Sequence, residues 1–271
     1  MAPRTARIRS VTNELASGEV FTWTLEHTDG SALAGNPGQF NMLYAFGCGE
    51  VPVSISGRTP NGQLQHSIRT VGRVTDAMRT LTAGTEIGVR GPFGTAWPLD
   101  EAAGRDLVVV AGGLGLAPVR PLLQLAAADR IHCRKTLVCY GTRTPADRLY
   151  PDDLRRCAAH PRIEVRTTVD RGDTGWRGEV GVVPRLLLQG GFDPDHSVAV
   201  VCGPEIMMQF SVDALRQVGV ADRWIYLSME RSMKCAVGLC GRCQWREHFI
   251  CKDGPVYRLD QIADLLGISE L

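Results

Sequence analysis

The chain has 271 residues, 44% hydrophobic and 22% charged, the make-up of a folded protein long enough for two ordinary domains. Lys+Arg 30 against Asp+Glu 29 leaves a net charge of +1, which argues against a general polyanion binder and so against nucleic acid as a main partner. There is no apolar run long enough for a membrane span, and the N-terminal MAPRTARIRSV lacks an apolar signal core; the expectation is a cytoplasmic protein without a membrane segment.

Residues 1–99 alternate short apolar and polar runs (EVFTWTLEH, LQHSIRTVG, TEIGVRG) with Gly, Pro, Asn and Asp at the breaks. Strands of that length and spacing predict a small antiparallel β-barrel. Within it VPVSISG sets Ser54 and Ser56 on one side of a strand and Val53 and Ile55 on the other. VGRVTDAM places Gly72 and Thr75 at a helix start, which suits a phosphate. Each of these is also ordinary strand or turn chemistry when taken singly.

The texture changes after EAAGRD. DLVVVAGGLGLAPVRPLLQLAAAD reads as a buried strand, a glycine turn and a helix; RKTLVCYGTRT, IEVRTTVD and HSVAVVCGPE read as further strands. PDDLRRCAA, VVPRLLLQ and EIMMQFSVDALRQVG are the helices between them, so residues 104–228 predict a parallel-sheet α/β domain. RWIYLSME is expected as a last strand. Gly112, Gly113 and Gly115 follow the first strand directly, a turn that either receives a pyrophosphate at the helix N-terminus or is simply tight. Cys202-Gly203-Pro204 ends another strand in the same way, where parallel sheets bind nucleotides. Met207 and Met208 are expected in the helix core. Arg143 and Arg148, after the second strand, lie where an adenosine 2′-phosphate is recognised, a slight lean toward NADP over NAD.

Residues 229–271 carry four of the nine cysteines: Cys235, Cys240, Cys243 and Cys251, spaced C-x4-C-x2-C-x7-C. Cys48, Cys133, Cys139, Cys157 and Cys202 are scattered and read as small buried hydrophobes. Clustered thiols in a reducing compartment favour metal over disulfides. Structural zinc usually takes two well-separated pairs, whereas C-x4-C-x2-C with a fourth cysteine is a plant-type 2Fe-2S spacing, so iron–sulfur is favoured over zinc. The six histidines, His27, His66, His132, His160, His196 and His248, show no paired spacing and no role.

The motif order PGQF, P-x-S-I-S (Pro52–Ser56), GxVT, GPFG, GGxGxAP, CGPExMM and the four-cysteine loop resembles the ferredoxin-NADP reductase superfamily along nearly the whole chain. Within it, the chain is most similar to the gamma subunits of cytosolic NiFe hydrogenases (sulfhydrogenases), and then to the electron-transfer subunit of dihydroorotate dehydrogenase. The resemblance implies an NAD(P)H-dependent oxidoreductase, a diaphorase-like subunit with FAD on the barrel, NAD(P)H on the α/β domain and a 2Fe-2S cluster in a C-terminal lobe. It implies partner iron–sulfur and catalytic subunits in a hetero-oligomer. Ser54, Ile55 and Ser56, with Pro52, would meet the flavin ring; Gly72 and Thr75, with Val74, would hold its phosphates. Gly112, Gly113, Gly115, Pro118, Cys202, Gly203 and Pro204 would line the nicotinamide nucleotide, with Arg143 at its adenosine end. Cys235, Cys240, Cys243 and Cys251 would ligate the cluster. No side chain is expected as a catalytic acid or base. Val51 and Val53 stand where the superfamily has an arginine and a tyrosine, which leaves FAD against FMN open and points to Arg73 or Arg90 as a replacement. A dihydroorotate dehydrogenase or sulfite-reductase subunit, or a zinc-stapled interaction module, are the competing readings.

Overall fold

The computed structural model describes residues 2–267. It divides into two compact units: one joins the residues up to Ala96 with Glu230–Pro255, and the other joins Trp97–Met229 with the residues from Val256 onward.

In the first unit, β1 (Arg4–Asn13), β2 (Val20–His27), β3 (Phe40–Ala45), β4 (Gly49–Arg58), β5 (Leu64–Arg69) and β6 (Glu86–Phe93) close a barrel in the order β1-β2-β5-β4-β3-β6. Every pairing is antiparallel. The period-2 alternation of the sequence accounts for it: Phe21, Trp23 and Leu25 of β2, Leu43 of β3 and Val53 and Ile55 of β4 all point into one apolar core. Helix α1 (Arg73–Arg79) sits between β5 and β6 and adds Met78 to that core.

The second unit runs β7 (Asp106–Gly112), α2 (Leu116–Ala127), β8 (Thr136–Thr142), α3 (Pro151–Ala158), β9 (Ile163–Val169), β10 (Glu179–Val180), α4 (Pro184–Leu188), β11 (Ser197–Cys202), α5 (Glu205–Gln217) and β12 (Ile225–Ser228). The cysteine-bearing segment, part of the first unit, then forms a hairpin of β13 (Gln244–Trp245) and β14 (His248–Phe249) and the short helix α6 (Ile250–Asp253). Beyond it come β15 (Val256–Arg258) and α7 (Leu259–Ile262). The main sheet has the order β10-β9-β8-β7-β11-β12-β15 and is parallel except at β15, which pairs antiparallel with β12. The wholly buried β7, β8 and β11 are the near-continuous apolar runs seen in the sequence, as a sheet covered on both faces requires.

The architecture is thus the expected antiparallel barrel plus parallel α/β domain. The C-terminal lobe expected over 229–271 is divided: Glu230–Pro255 goes with the barrel, and β15 and α7 go with the sheet. Leu227 is fully buried on β12 and Tyr257 nearly so opposite it on β15, so the chain's last strand completes an apolar edge.

Candidate functional site

The parallel sheet changes direction between β7 and β11: β8 and β9 lie to one side of β7, while β11 and β12 lie to the other. The loops at the carboxyl ends of two such strands open a crevice. Both glycine turns fall there. A Cβ on Gly115 would come within 2.3 Å of the Cys202 carbonyl oxygen, and one on Gly203 would come within 3.0 Å of the Gly112 nitrogen. The two turns therefore pack backbone against backbone. Gly113, at φ +53°, has open space beyond it, and Gly203 and Pro204 stand at the partly exposed rim. Pro118 is buried in α2, where its carbonyl accepts the Trp97 indole N–H at 3.0 Å. Cys202 is 1% exposed, at the buried end of β11 beside the Gly115 turn. Met208 is in the core as expected, and Met207 lies against Gly112 and Gly203.

Arg143 follows the last residue of β8 and is exposed; its carbonyl accepts the Arg171 N–H at 2.9 Å, which holds the tips of β8 and β9 side by side. Arg148 lies 4.9 Å above the Trp176 ring. Arg143, Arg148, Arg171 and Arg177 are all exposed and make no carboxylate pair among the described residues.

On the barrel, β4 carries the expected flavin-contact strand, and its register with β5 slips between Ile55 and Gly57. The slip narrows the expected contacts. Ile55 points into the core, and Ser56 has no exposed surface; its hydroxyl accepts from Ser67, which also meets Thr22 at 2.7 Å. Pro52 and Ser54, on the opposite face from Val53, keep exposed surface. Val51 and Val53 pack on the barrel core, so neither position offers a charge or a hydroxyl. Thr75 caps its own helix: its hydroxyl accepts the N–H groups of Val71 and Gly72 and donates to the Gly72 carbonyl. Val74 packs against the barrel core near Gly49. Of the two replacement arginines, Arg73 is exposed and makes no ion pair among the described residues, whereas Arg90 is paired with Glu50.

Sequence reading missed His66. It is fully buried inside the barrel; Nδ1 donates to the Ser54 carbonyl at 3.0 Å and Nε2 accepts from Asn41 at 3.1 Å. Burial takes its pKa down to about 4, against the opposing pull of the Ser54 and Val53 carbonyls. The neutral ring bridges the Ser54 carbonyl and the Asn41 amide.

In the cysteine loop, Ala236, Gly238 and Gly241 adopt φ values of +64°, +74° and +74°. The left-handed Ala236 and Gly238, two residues apart, turn successive N–H groups inward, the geometry of an anion nest. Val237, Leu239 and Cys240 accordingly donate to Cys235 Sγ at 3.5, 3.3 and 3.4 Å, and Gly238 donates to Cys251 Sγ at 3.2 Å. Partial burial raises the Cys235 pKa, but those N–H groups and the Cys240 thiol outweigh it and bring it down to about 6. Cys251 is pushed up to about 12, first by burial and then by Cys243 beside it. Cys251 N–H also donates to Cys243 Sγ at 3.5 Å, and both Cys243 and Cys235 act on Cys251, so the four cysteines share one site. Among the described residues no three His, Cys, Asp or Glu side chains converge as a single-ion site. Four cysteines on one loop, with backbone N–H groups aimed at the Cys235 and Cys251 sulfurs, fit a cysteine-ligated iron–sulfur cluster.

Comparison with known proteins matches two segments of the chain. Residues 109–213 match the oxidoreductase NAD-binding domain, and residues 230–263 match the iron–sulfur cluster binding domain of dihydroorotate dehydrogenase B. The chain is 34% identical to the sulfhydrogenase 2 gamma subunit of Pyrococcus furiosus over 82% of each chain. It is also 34% identical to a probable dihydroorotate dehydrogenase B (NAD(+)) electron transfer subunit of Methanothermobacter thermautotrophicus, over 96% of this chain and 91% of that one. The chain belongs to this family of iron–sulfur flavoprotein subunits, within the ferredoxin-NADP reductase superfamily.

Members of the family are oxidoreductase components, and the crevice and the cysteine loop lie in the two segments matched to the domain models. A solved NADH-dependent reduced ferredoxin-NADP oxidoreductase shares the fold, with a TM-score of 0.75 at 22% identity over 100% of this chain and 95% of that one. Among the described residues no helix is long and apolar enough to cross a membrane.

Proposed function

We propose that this chain is the electron-transfer subunit of a cytoplasmic NiFe hydrogenase complex, passing electrons between NAD(P)H and a partner redox subunit through FAD and a 2Fe-2S cluster. The observation that carries the reading is the set of backbone N–H groups that donate to Cys235 and Cys251 Sγ, in the same compact unit as the barrel. A bound flavin supplies the exchange between a two-electron hydride and a one-electron cluster. The protein's own part is placement and electrostatics. Ser54 and Pro52 present the exposed face of β4 to the ring, and Arg73 supplies the phosphate charge that Val51 does not. Gly113, Gly203 and Pro204 form the rim that receives the nicotinamide nucleotide.

Arg143, with Arg148 and Arg171 nearby, supports NADPH over NADH, because a 2′-phosphate needs a cation where NAD-specific sites place a carboxylate. The sequence match to sulfhydrogenase gamma subunits supports the hydrogenase assignment. A dihydroorotate dehydrogenase complex is the second reading, favoured by the match spanning 96% of the chain. Purification of the native complex decides between them. A co-purifying nickel-containing subunit and hydrogen-dependent dye reduction support the first reading; a co-purifying dihydroorotate-oxidising subunit replaces it with the second.

A further inference from the structure

Arg90, on β6, is held on both sides. Its Nε and Nη2 donate to the two carboxylate oxygens of Glu50 at 3.0 and 2.7 Å, a two-point pairing. Its Nη1 donates to the Cys235 carbonyl and its Nη2 to the Lys234 carbonyl, both at 3.2 Å. The guanidinium also lies 5.7 Å from the Phe93 ring centre. The side chains of Arg90 and Glu50 are 11% and 29% exposed, far less than a typical surface pair. A second tie closes the segment's other end: Thr95 N–H donates to the Gly254 carbonyl at 2.6 Å, and Gln39 donates to the Gly94 carbonyl at 2.8 Å. Glu50 opens β4, the strand that carries Ser54.

Two tasks follow from this placement. The backbone of a cluster-bearing loop needs an anchor, which two carbonyl contacts provide. A fixed positive charge beside a cysteine ligand also changes how readily the site accepts an electron, because reduction adds one negative charge there. The potential of an iron–sulfur site follows local charge and exposure, and partial burial strengthens the effect. Glu50, paired with the same guanidinium, offsets part of that charge. The pair is therefore a graded device rather than a bare cation.

We propose that Arg90 and Glu50 are positioning residues that set the reduction potential of the group held by Cys235, Cys240, Cys243 and Cys251, with opposite signs. This rests on the reading that those thiolates hold an iron–sulfur cluster. Arg90 stabilises the reduced state; Glu50 limits that stabilisation and fixes the guanidinium on the Lys234 and Cys235 carbonyls.

The test uses the full chain, loaded and anaerobic, titrated with dithionite and followed by electron paramagnetic resonance. Iron and labile sulfide in the unaltered protein test the cluster reading separately. At a fixed potential, Arg90→Met should lower the reduced-to-oxidised ratio roughly tenfold, and Glu50→Gln should raise it by a similar factor. The Arg90→Met, Glu50→Gln double variant should return close to the starting value. Arg90→Lys keeps the charge without the two-point pairing and should shift the ratio less than Arg90→Met. A purely structural clamp predicts something different: both single variants shift the same way, or all variants lose iron together. Either result overturns the proposal, as does an unchanged ratio with full iron content.

Discussion

His66 Nδ1 donates to the Ser54 carbonyl at 3.0 Å from inside the barrel, while Ser54 stands on the outer face of β4. The ring must remain neutral to do this and also accept from Asn41. With a folded pKa of about 4 against about 6.5 in the unfolded chain, the unfolded state takes up a proton that the folded state refuses in that interval. The contribution is whole above about pH 6.5 and declines as pH falls toward 4, by up to about 3 kcal/mol. Urea unfolding at stepped pH should show this decline, and His66→Gln should flatten it. An equal decline in the variant assigns the pH dependence to other groups.

Gly115 and Gly113 should respond differently to the same substitution. Gly115→Ala drives a methyl into the Cys202 backbone and should cost about 3 kcal/mol or more, or prevent folding of the second unit. Gly113→Ala meets no atom and carries only the left-handed penalty, about 1 kcal/mol. Thermal unfolding of the two variants checks the order, and nucleotide affinity of the stable Gly113→Ala protein reports on the rim.

Thr75 and Arg73 separate helix capping from ligand binding. Thr75→Val removes three bonds of the cap and should cost about 1 kcal/mol in unfolding experiments. Arg73→Ala should leave unfolding nearly unchanged while lowering flavin retention on gel filtration roughly tenfold. Equal flavin retention in Arg73→Ala and the parent would remove Arg73 from the phosphate site.

Arg143→Ala should raise the KM for NADPH about tenfold with a dye acceptor and leave that for NADH within about twofold. Parallel changes for both nucleotides would show that Arg143 does not read the 2′-phosphate.

The cysteine loop and the glycine turns were legible in the sequence because their chemistry is local. Cys235 through Cys251 lie within one short segment, and Gly112-Gly113 and Gly203 mark turns at strand ends. The barrel and sheet were legible from strand periodicity. What escaped depends on partners remote in the chain. Ser56 is buried where β4 slips against β5, and the role of His66 depends on Ser54 and Asn41, since a lone histidine in an alternating strand carries no signal. That the Thr75 hydroxyl caps its own helix is likewise set by geometry that the local pattern does not record. Arg90 meets Cys235 across a separation of 145 residues, which no local pattern records. The division of the C-terminal lobe also depends on β15 pairing with β12.

The most direct test of the account is anaerobic titration of the loaded full chain with NADPH, followed by absorbance and electron paramagnetic resonance. The account predicts that nucleotide alone bleaches the flavin band and produces the signal of a reduced 2Fe-2S cluster, and that Cys240→Ser abolishes the second change while preserving the first. A colourless protein carrying one equivalent of zinc, or a flavin that reduces fully while an intact cluster never does, would contradict it.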